Sequence, residues 1–285
     1  MPPIIANAGD LLARYDVLFC DIWGVVHNGQ TAYVEGCAAL KQFRDNGGTV
    51  VLVSNAPRTP KIVAKILAEK HVPEDCWDAI VSSGGIAIAH AAERGFTRVH
   101  HIGPDRDLDV FDGSGLERVS LADAEAIFCT GLQHDRREIG EDYRARLTAP
   151  AARSLPLICA NPDLIVDVGD VQLPCAGAIA VVYESLDAPV YWAGKPHATA
   201  YGAAIKHAAQ LRGTSIDKTR VLAIGDAVRT DIAGAVAFGI DALFIAQGIH
   251  RKEVAPNGTI DPAALASIFA SDAPQAIAAM MSLRW

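Results

Sequence analysis

The 285 residues contain no Cys-x-x-Cys pair, no basic tract and no apolar stretch long enough to span a bilayer. Each absence excludes something. The six cysteines (Cys20, Cys37, Cys76, Cys129, Cys159, Cys175) are scattered, which argues against the clustered ligands of a structural zinc site. In a chain of this length they read as reduced, mostly buried thiols. His100 and His101 are neighbours on an expected strand, where adjacent rings face opposite ways and cannot chelate jointly. Lys plus Arg number 25 against 33 Asp plus Glu, a formal charge of -8. That balance argues against nucleic acid or an anionic membrane as the main partner, but leaves room for a small phosphorylated ligand. The opening "MPPIIANAGDLLARYD" lacks a basic region followed by a long apolar core, so no signal peptide and a cytoplasmic location are expected.

What the chain does have is apolar matter in the proportion of a globular protein: 51% hydrophobic against 20% charged residues. Short β-rich apolar runs alternate with helical stretches. "YDVLFCDI", "TVVLVSN", "DAIVSS", "PVYWAGK", "TRVLAIGD" and "DALFIAQ" read as strands. "EGCAALKQFRDNGG", "TPKIVAKILAEK", "GGIAIAHAAERG", "HATAYGAAIKHAAQLRG" and "TDIAGAVAFG" read as helices. Near-continuous apolar strands between helices predict an α/β fold with a Rossmann-like, doubly wound parallel sheet. The C-terminal "DPAALASIFASDAPQAIAAMMSLRW" is expected to form two short helices. The middle carries more turns ("GPDRDLDVFDGSG", "TAPAARSLP", "NPDLIVDVGDVQLP") and reads as an inserted α/β domain. The expected organisation is a core in two parts, 1–81 and 189–285, with an insert over 82–188.

Polar residues recur at one structural address, the carboxyl end of an expected parallel strand. Asp21 follows "VLFC", Ser54 and Asn55 close "VVLVSN", Lys195 follows "VYWAG", and Asp226 follows "VLAIG". That edge of an open doubly wound sheet is where ligands bind. Singly, each residue suits a turn or a helix cap. Together, two carboxylates, a hydroxyl and a lysine fit phosphoryl transfer. A carboxylate can attack phosphorus, Mg²⁺ can offset the repulsion between nucleophile and phosphate, and hydroxyl and ammonium groups can hold the phosphoryl oxygens. Asn161 and Asp163, in "CANPDLIV", could hydrogen-bond a hydroxylated ligand, although Asn-Pro-Asp is also an ordinary turn sequence.

Asp21, Ser54-Asn55, Gly194-Lys195-Pro196 and "GDAVRTD" (Gly225 to Asp231) resemble, in this order, the four motifs of the haloacid dehalogenase superfamily. The insertion point resembles its class IIA, NagD-like branch, in which an α/β cap separates the second and third motifs. The resemblance implies a fold with a haloacid dehalogenase-like core and a Mg²⁺-dependent phosphohydrolase working through an aspartyl-phosphate. Asp21 would be nucleophile and metal ligand, Ser54 and Asn55 would bind the phosphate, and Lys195 would neutralise its charge. Asp226 and the backbone carbonyl of Trp23 would complete the metal ligands, with Asp231 supporting them. A homodimer formed through the cap is a further implication.

One residue departs from the pattern. Trp23 stands where such phosphatases carry a second Asp as general acid/base, and indole has no carboxyl proton to give. His27, the substrate itself or a cap residue could replace it. The substrate class is a small phosphorylated metabolite: a sugar phosphate, nucleotide, aryl phosphate or acyl phosphate. The competing reading is a non-catalytic phosphate-ligand sensor or regulatory protein on the same fold. A third, with Asp21 attacking carbon, gives the acidic pair Asp226 and Asp231 no use.

Overall fold

The computed structural model describes residues 1–168 and 171–285. They form two compact units. One comprises Met1–Ser54, Ala64–Val81 and Tyr201–Trp285, the other Asn55–Val63 and Ser82–Ala200.

The first unit is built on a six-stranded sheet ordered Ala278–Met280, Asp241–Ile245, Val221–Gly225, Val17–Cys20, Thr49–Ser54, Ala79–Ser82. The strands run parallel from Ala278–Met280 through to Thr49–Ser54. Residues 17–20 and 221–225 are buried without a break, as expected of strands covered on both faces. The earliest strand in the chain, Val17–Cys20, lies at the centre. The chain winds from it to one side (Thr49–Ser54) and later returns on the other (Val221–Gly225), which makes its carboxyl end a topological switch point.

Helices form where the apolar spacing predicts them: Val34–Asp45, Pro60–Glu69, Ser83–Glu93 and Ala198–Arg212. The C-terminal expectation needs correction. Pro262–Ile268 is a helix, capped by the Asp261 side chain. The alanine-rich run after it is an edge strand, Ala278–Met280, in register with Leu243–Ile245. A three-residue apolar run carries no periodicity of its own, and an open sheet edge supplied the hydrogen bonds that decided it. Ile5 donates to the Ala279 carbonyl on its far side, and Ala279 N–H to Pro3.

The second unit has a five-stranded parallel sheet ordered Val190–Trp192, Leu157–Cys159, Ala126–Cys129, Arg98–Ile102, Glu117–Arg118. A separate antiparallel hairpin pairs Ile165–Val168 with Val171–Pro174. Of the turn-rich segment 161–174, residues 169 and 170 lie outside the described residues. All six cysteines are free and buried, and no described helix is long and apolar enough to cross a membrane.

Phe244, fully buried on the strand Asp241–Ile245, packs edge-on to Phe269 at 5.2 Å between ring centroids. Phe244→Ala should therefore cost ~3–5 kcal/mol, read as a lowered midpoint in denaturant with little change in slope.

Candidate active site

The register of two neighbouring strands sets the site. Cys20 pairs with Ile224, so the residues that follow, Asp21 and then Asp226, leave the sheet side by side. The Asp21 N–H donates to the Ile224 carbonyl (2.8 Å), carrying the ladder one step beyond the strand. Asp231 reaches the same place from a single wide helical turn, Val228–Ile232, in which both Asp231 and Ile232 N–H groups donate to the Ala227 carbonyl. Such π-type turns recur at functional sites because they push one side chain out of helical register. Asp21, Asp226 and Asp231 each present a carboxylate oxygen within 4.8 Å of the others.

The surroundings hold these groups. Asp226 and Asp231 are 4% and 3% exposed, so neither can swing into water. Asp226 Oδ2 accepts the Ile249 N–H at 2.6 Å, and Asp231 Oδ2 accepts the Ala227 N–H at 3.1 Å. Tyr201 donates its hydroxyl to the Asp231 carbonyl (2.9 Å). The backbones of Gly24 and Gly248 press against the Asp226 carboxylate so closely that a Cβ at either would collide with it. Gly24 also has a φ of +81°, which favours glycine on its own account. All the donors are hard oxygens, which suits a divalent cation such as Mg²⁺. The close approach of residue 24 brings the Trp23–Gly24 backbone to the same cluster.

The turn after Asp21 is built around Trp23 and His27. The indole is 38% exposed, stands edge-on to the His27 ring at 5.3 Å and lies over Gly29, where a Cβ would strike it. His27 is 3% exposed, and its Nδ1 accepts the Gly29 N–H at 2.9 Å. Burial, and then the charge of Lys70, push its pKa down to about 4. The ring is therefore neutral at neutral pH, with Nδ1 unprotonated and accepting. The geometry gives His27 the job of fixing the turn.

Ser54 ends its strand half-buried. The Asn55 side chain is engaged within its own unit. Its Nδ2 donates to Asp163 Oδ1 (2.9 Å) and to the Lys195 carbonyl (2.9 Å). Its Oδ1 accepts from the Lys195 N–H (2.8 Å) and the Ser83 hydroxyl (3.3 Å). Two donors and two lone pairs are the whole capacity of an amide, so the side chain is saturated. Asn55 clamps the backbone of Lys195 from both sides, and Lys195 itself is 3% exposed. Gly194 permits the clamp, since a Cβ there would collide with Ser83 and press on Asn55. Asn161 accepts the Asp163 N–H (3.1 Å) in an Asx turn, which aims Asp163 at Asn55. The Gly248–Ile249 cradle and the Asn55 clamp escaped sequence reasoning; the one signal for the cradle was a glycine just past the strand next to that of Asp226.

Depressed histidines make stability pH-dependent. A ring that titrates near pH 4 when folded and near 6.5 when unfolded stabilises the native state fully above about pH 6.5, and that contribution drains away as pH falls towards 4. His27→Asn keeps an acceptor for the Gly29 N–H but does not titrate. Its melting temperature should accordingly fall less than that of the wild type between pH 7 and pH 4.5, by differential scanning calorimetry.

Comparison with known proteins shows the family. A family model described as haloacid dehalogenase-like hydrolase matches residues 18–117, and a second, HAD-hydrolase-like, matches 192–271. The 5'-nucleotidase YutF of Bacillus subtilis is 24% identical over 244 residues, 85% of this chain and 91% of that protein. An acid sugar phosphatase of Staphylococcus aureus is 24% identical over 263 residues, 88% of this chain and 94% of its own length. The crystal structure of a hydrolase of the haloacid dehalogenase-like family from Brucella suis 1330 is 41% identical, with a TM-score of 0.84, over 99% of this chain and all (100%) of that one. On these grounds the chain is a hydrolase and belongs to the haloacid dehalogenase-like family.

Proposed function

We propose that the chain is a Mg²⁺-dependent phosphohydrolase that cleaves a small phosphorylated metabolite through an aspartyl-phosphate on Asp21. The observation that carries this reading is the convergence of Asp21, Asp226 and Asp231, with ligand oxygens within 4.8 Å of one another at a sheet's switch point. Relatives named as a 5'-nucleotidase and an acid sugar phosphatase favour a nucleotide or a sugar phosphate as the substrate class. Aryl and acyl phosphates belong to the same class of reaction.

Asp21, Asp226 and the Trp23 carbonyl would hold the cation, with Asp231 fixing their arrangement. The bound cation supplies positive charge that lets an anionic nucleophile approach an anionic phosphate. Asp21 attacks phosphorus through one carboxylate oxygen. The bond from phosphorus to the ester oxygen breaks, and the leaving group takes that electron pair. Water then attacks the phosphorus and the phosphorus–carboxylate oxygen bond breaks. Inorganic phosphate departs, a proton passes to solvent, and the Asp21 carboxylate is restored. Ser54 donates its hydroxyl to a phosphoryl oxygen, and Lys195 is assigned the balancing charge. Asn55 holds Lys195 in position.

Trp23 sets the chemical range. Lacking a carboxyl group there, and with His27 neutral, this turn offers no acid for a departing alkoxide. General acid–base help contributes ~10²–10⁴-fold, or ~3–5 kcal/mol of barrier. Substrates whose leaving group departs unprotonated, acyl and aryl phosphates, lose least by its absence.

Phosphate release measured with and without Mg²⁺ on a panel of alkyl, aryl and acyl phosphates tests the reading. Wild type should turn over aryl and acyl phosphates faster than alkyl ones, and Asp21→Asn should abolish release from all. Trp23→Asp should raise kcat on alkyl phosphates at least tenfold and alter aryl phosphates less. If wild type and Trp23→Asp both release nothing, the chain is a phosphate-ligand binder without turnover.

A further inference from the structure

The second unit carries a cavity that no part of the proposed reaction uses. In its sheet, Arg98–Ile102 comes first in the chain, the next strand, Glu117–Arg118, lies to one side and the third, Ala126–Cys129, to the other. The connections leaving Ile102 and Cys129 diverge, the same topological condition that places ligands at the carboxyl edge of open parallel sheets. A cavity of about 270 Å³ lies there. Gly103 and Asp105, just past the first strand, line it, with Arg118, Gln133 and Arg146.

Its electrostatics are unusual for a chain of net charge -8. Two guanidinium groups face one carboxylate. Neither Arg118 nor Arg146 is paired with a carboxylate among the described residues. Arg118 lies over the Phe111 ring at 6.0 Å, and Arg146 over Tyr143 at 5.6 Å, with its Nη2 3.5 Å from His100 Nε2. The neighbouring arginine, Arg106, is by contrast bound to Asp135. The wall is polar and fixed. His100 Nδ1 lies 3.1 Å from the Val119 carbonyl, and His101 Nε2 lies 2.9 Å from the Thr130 hydroxyl. Burial, and then the charge of Arg118, hold the His101 pKa down at about 4, so that ring adds no charge of its own at neutral pH. Gly103 lets the strand end run against Thr130 and His101, where a Cβ would collide with Thr130 and crowd His101.

We propose that this cavity is a second ligand site, taking a small hydroxylated organic phosphate. Arg118 and Arg146 hold the phosphate through charge-assisted hydrogen bonds, and Asp105 and Gln133 receive its hydroxyl groups. The volume suits a ligand of sugar-phosphate size rather than a dinucleotide. No divalent cation enters into this binding, because the protein supplies the positive charge.

Calorimetric titration of the full chain carrying Asp21→Asn, with ribose 5-phosphate in the presence of EDTA, tests the site apart from the proposed reaction. One saturable binding event is expected. Adding Arg118→Ala and Arg146→Ala should weaken it at least tenfold, while adding Lys195→Ala should leave it unchanged. Ribose should not bind, and inorganic phosphate should compete weakly. Absence of metal-independent binding, survival of binding in the double arginine variant, or loss of it with Lys195→Ala would each overturn the proposal. Mg²⁺-dependent phosphate release by the chain with Asp21 intact reports separately on the phosphohydrolase reading.

Discussion

Three carboxylates held together by the packing of a parallel sheet set the terms for the first unit. Two unit charges within 4.8 Å of each other repel by about 3.5 kcal/mol or more at an effective dielectric of about 20. Nothing in the hydrophobic effect favours that arrangement. It persists because Asp21 and Asp226 are continuations of buried strands in fixed register, and a register slip would turn every side chain of those strands to the other face. Asp231 is fixed by its wide turn and by Tyr201. The core thus gathers carboxylate oxygens of the kind that a hard cation binds.

The turn that follows Asp21 is built around an aromatic side chain rather than a carboxylate. Trp23, His27 and Gly29 form a small packed unit in which the histidine serves as an acceptor and the indole as a cover. Packing of this sort stiffens the loop that carries the Trp23 carbonyl. In the proposed reaction, cation binding and nucleophilic attack draw on the backbone and Asp21, whereas leaving-group protonation calls for a side chain that this turn does not have.

Much of the fold was legible because its signals are local. Apolar runs such as "VLFC" and "VLAIG", bounded by turn residues, read as buried strands, and an Asp directly after each then falls at the ligand-binding edge. The alanine-rich C-terminus was not legible, since "AAM" satisfies helix and strand alike and the free edge beside Asp241–Ile245 made the choice. Asn55 was legible as a motif residue but not as a clamp. Its four hydrogen bonds reach Ser83, Asp163 and Lys195, residues up to 140 positions away along the chain.

By itself, then, the sequence determined the alternation of strands and helices, the placing of Asp21, Ser54, Lys195 and Asp226 at strand ends, and an indole rather than a carboxyl group at position 23. These follow from hydrophobic period and side-chain chemistry, which any short window contains. Only the tertiary structure decided that Asp231 joins the two strand-end carboxylates, that His27 is dry and neutral, that the Asn55 side-chain amide has no hydrogen bond to spare, and that two arginines of the second unit face an open cavity. Burial, saturation and electrostatic environment are properties of what surrounds a group, and the surroundings are assembled from residues far apart in the chain.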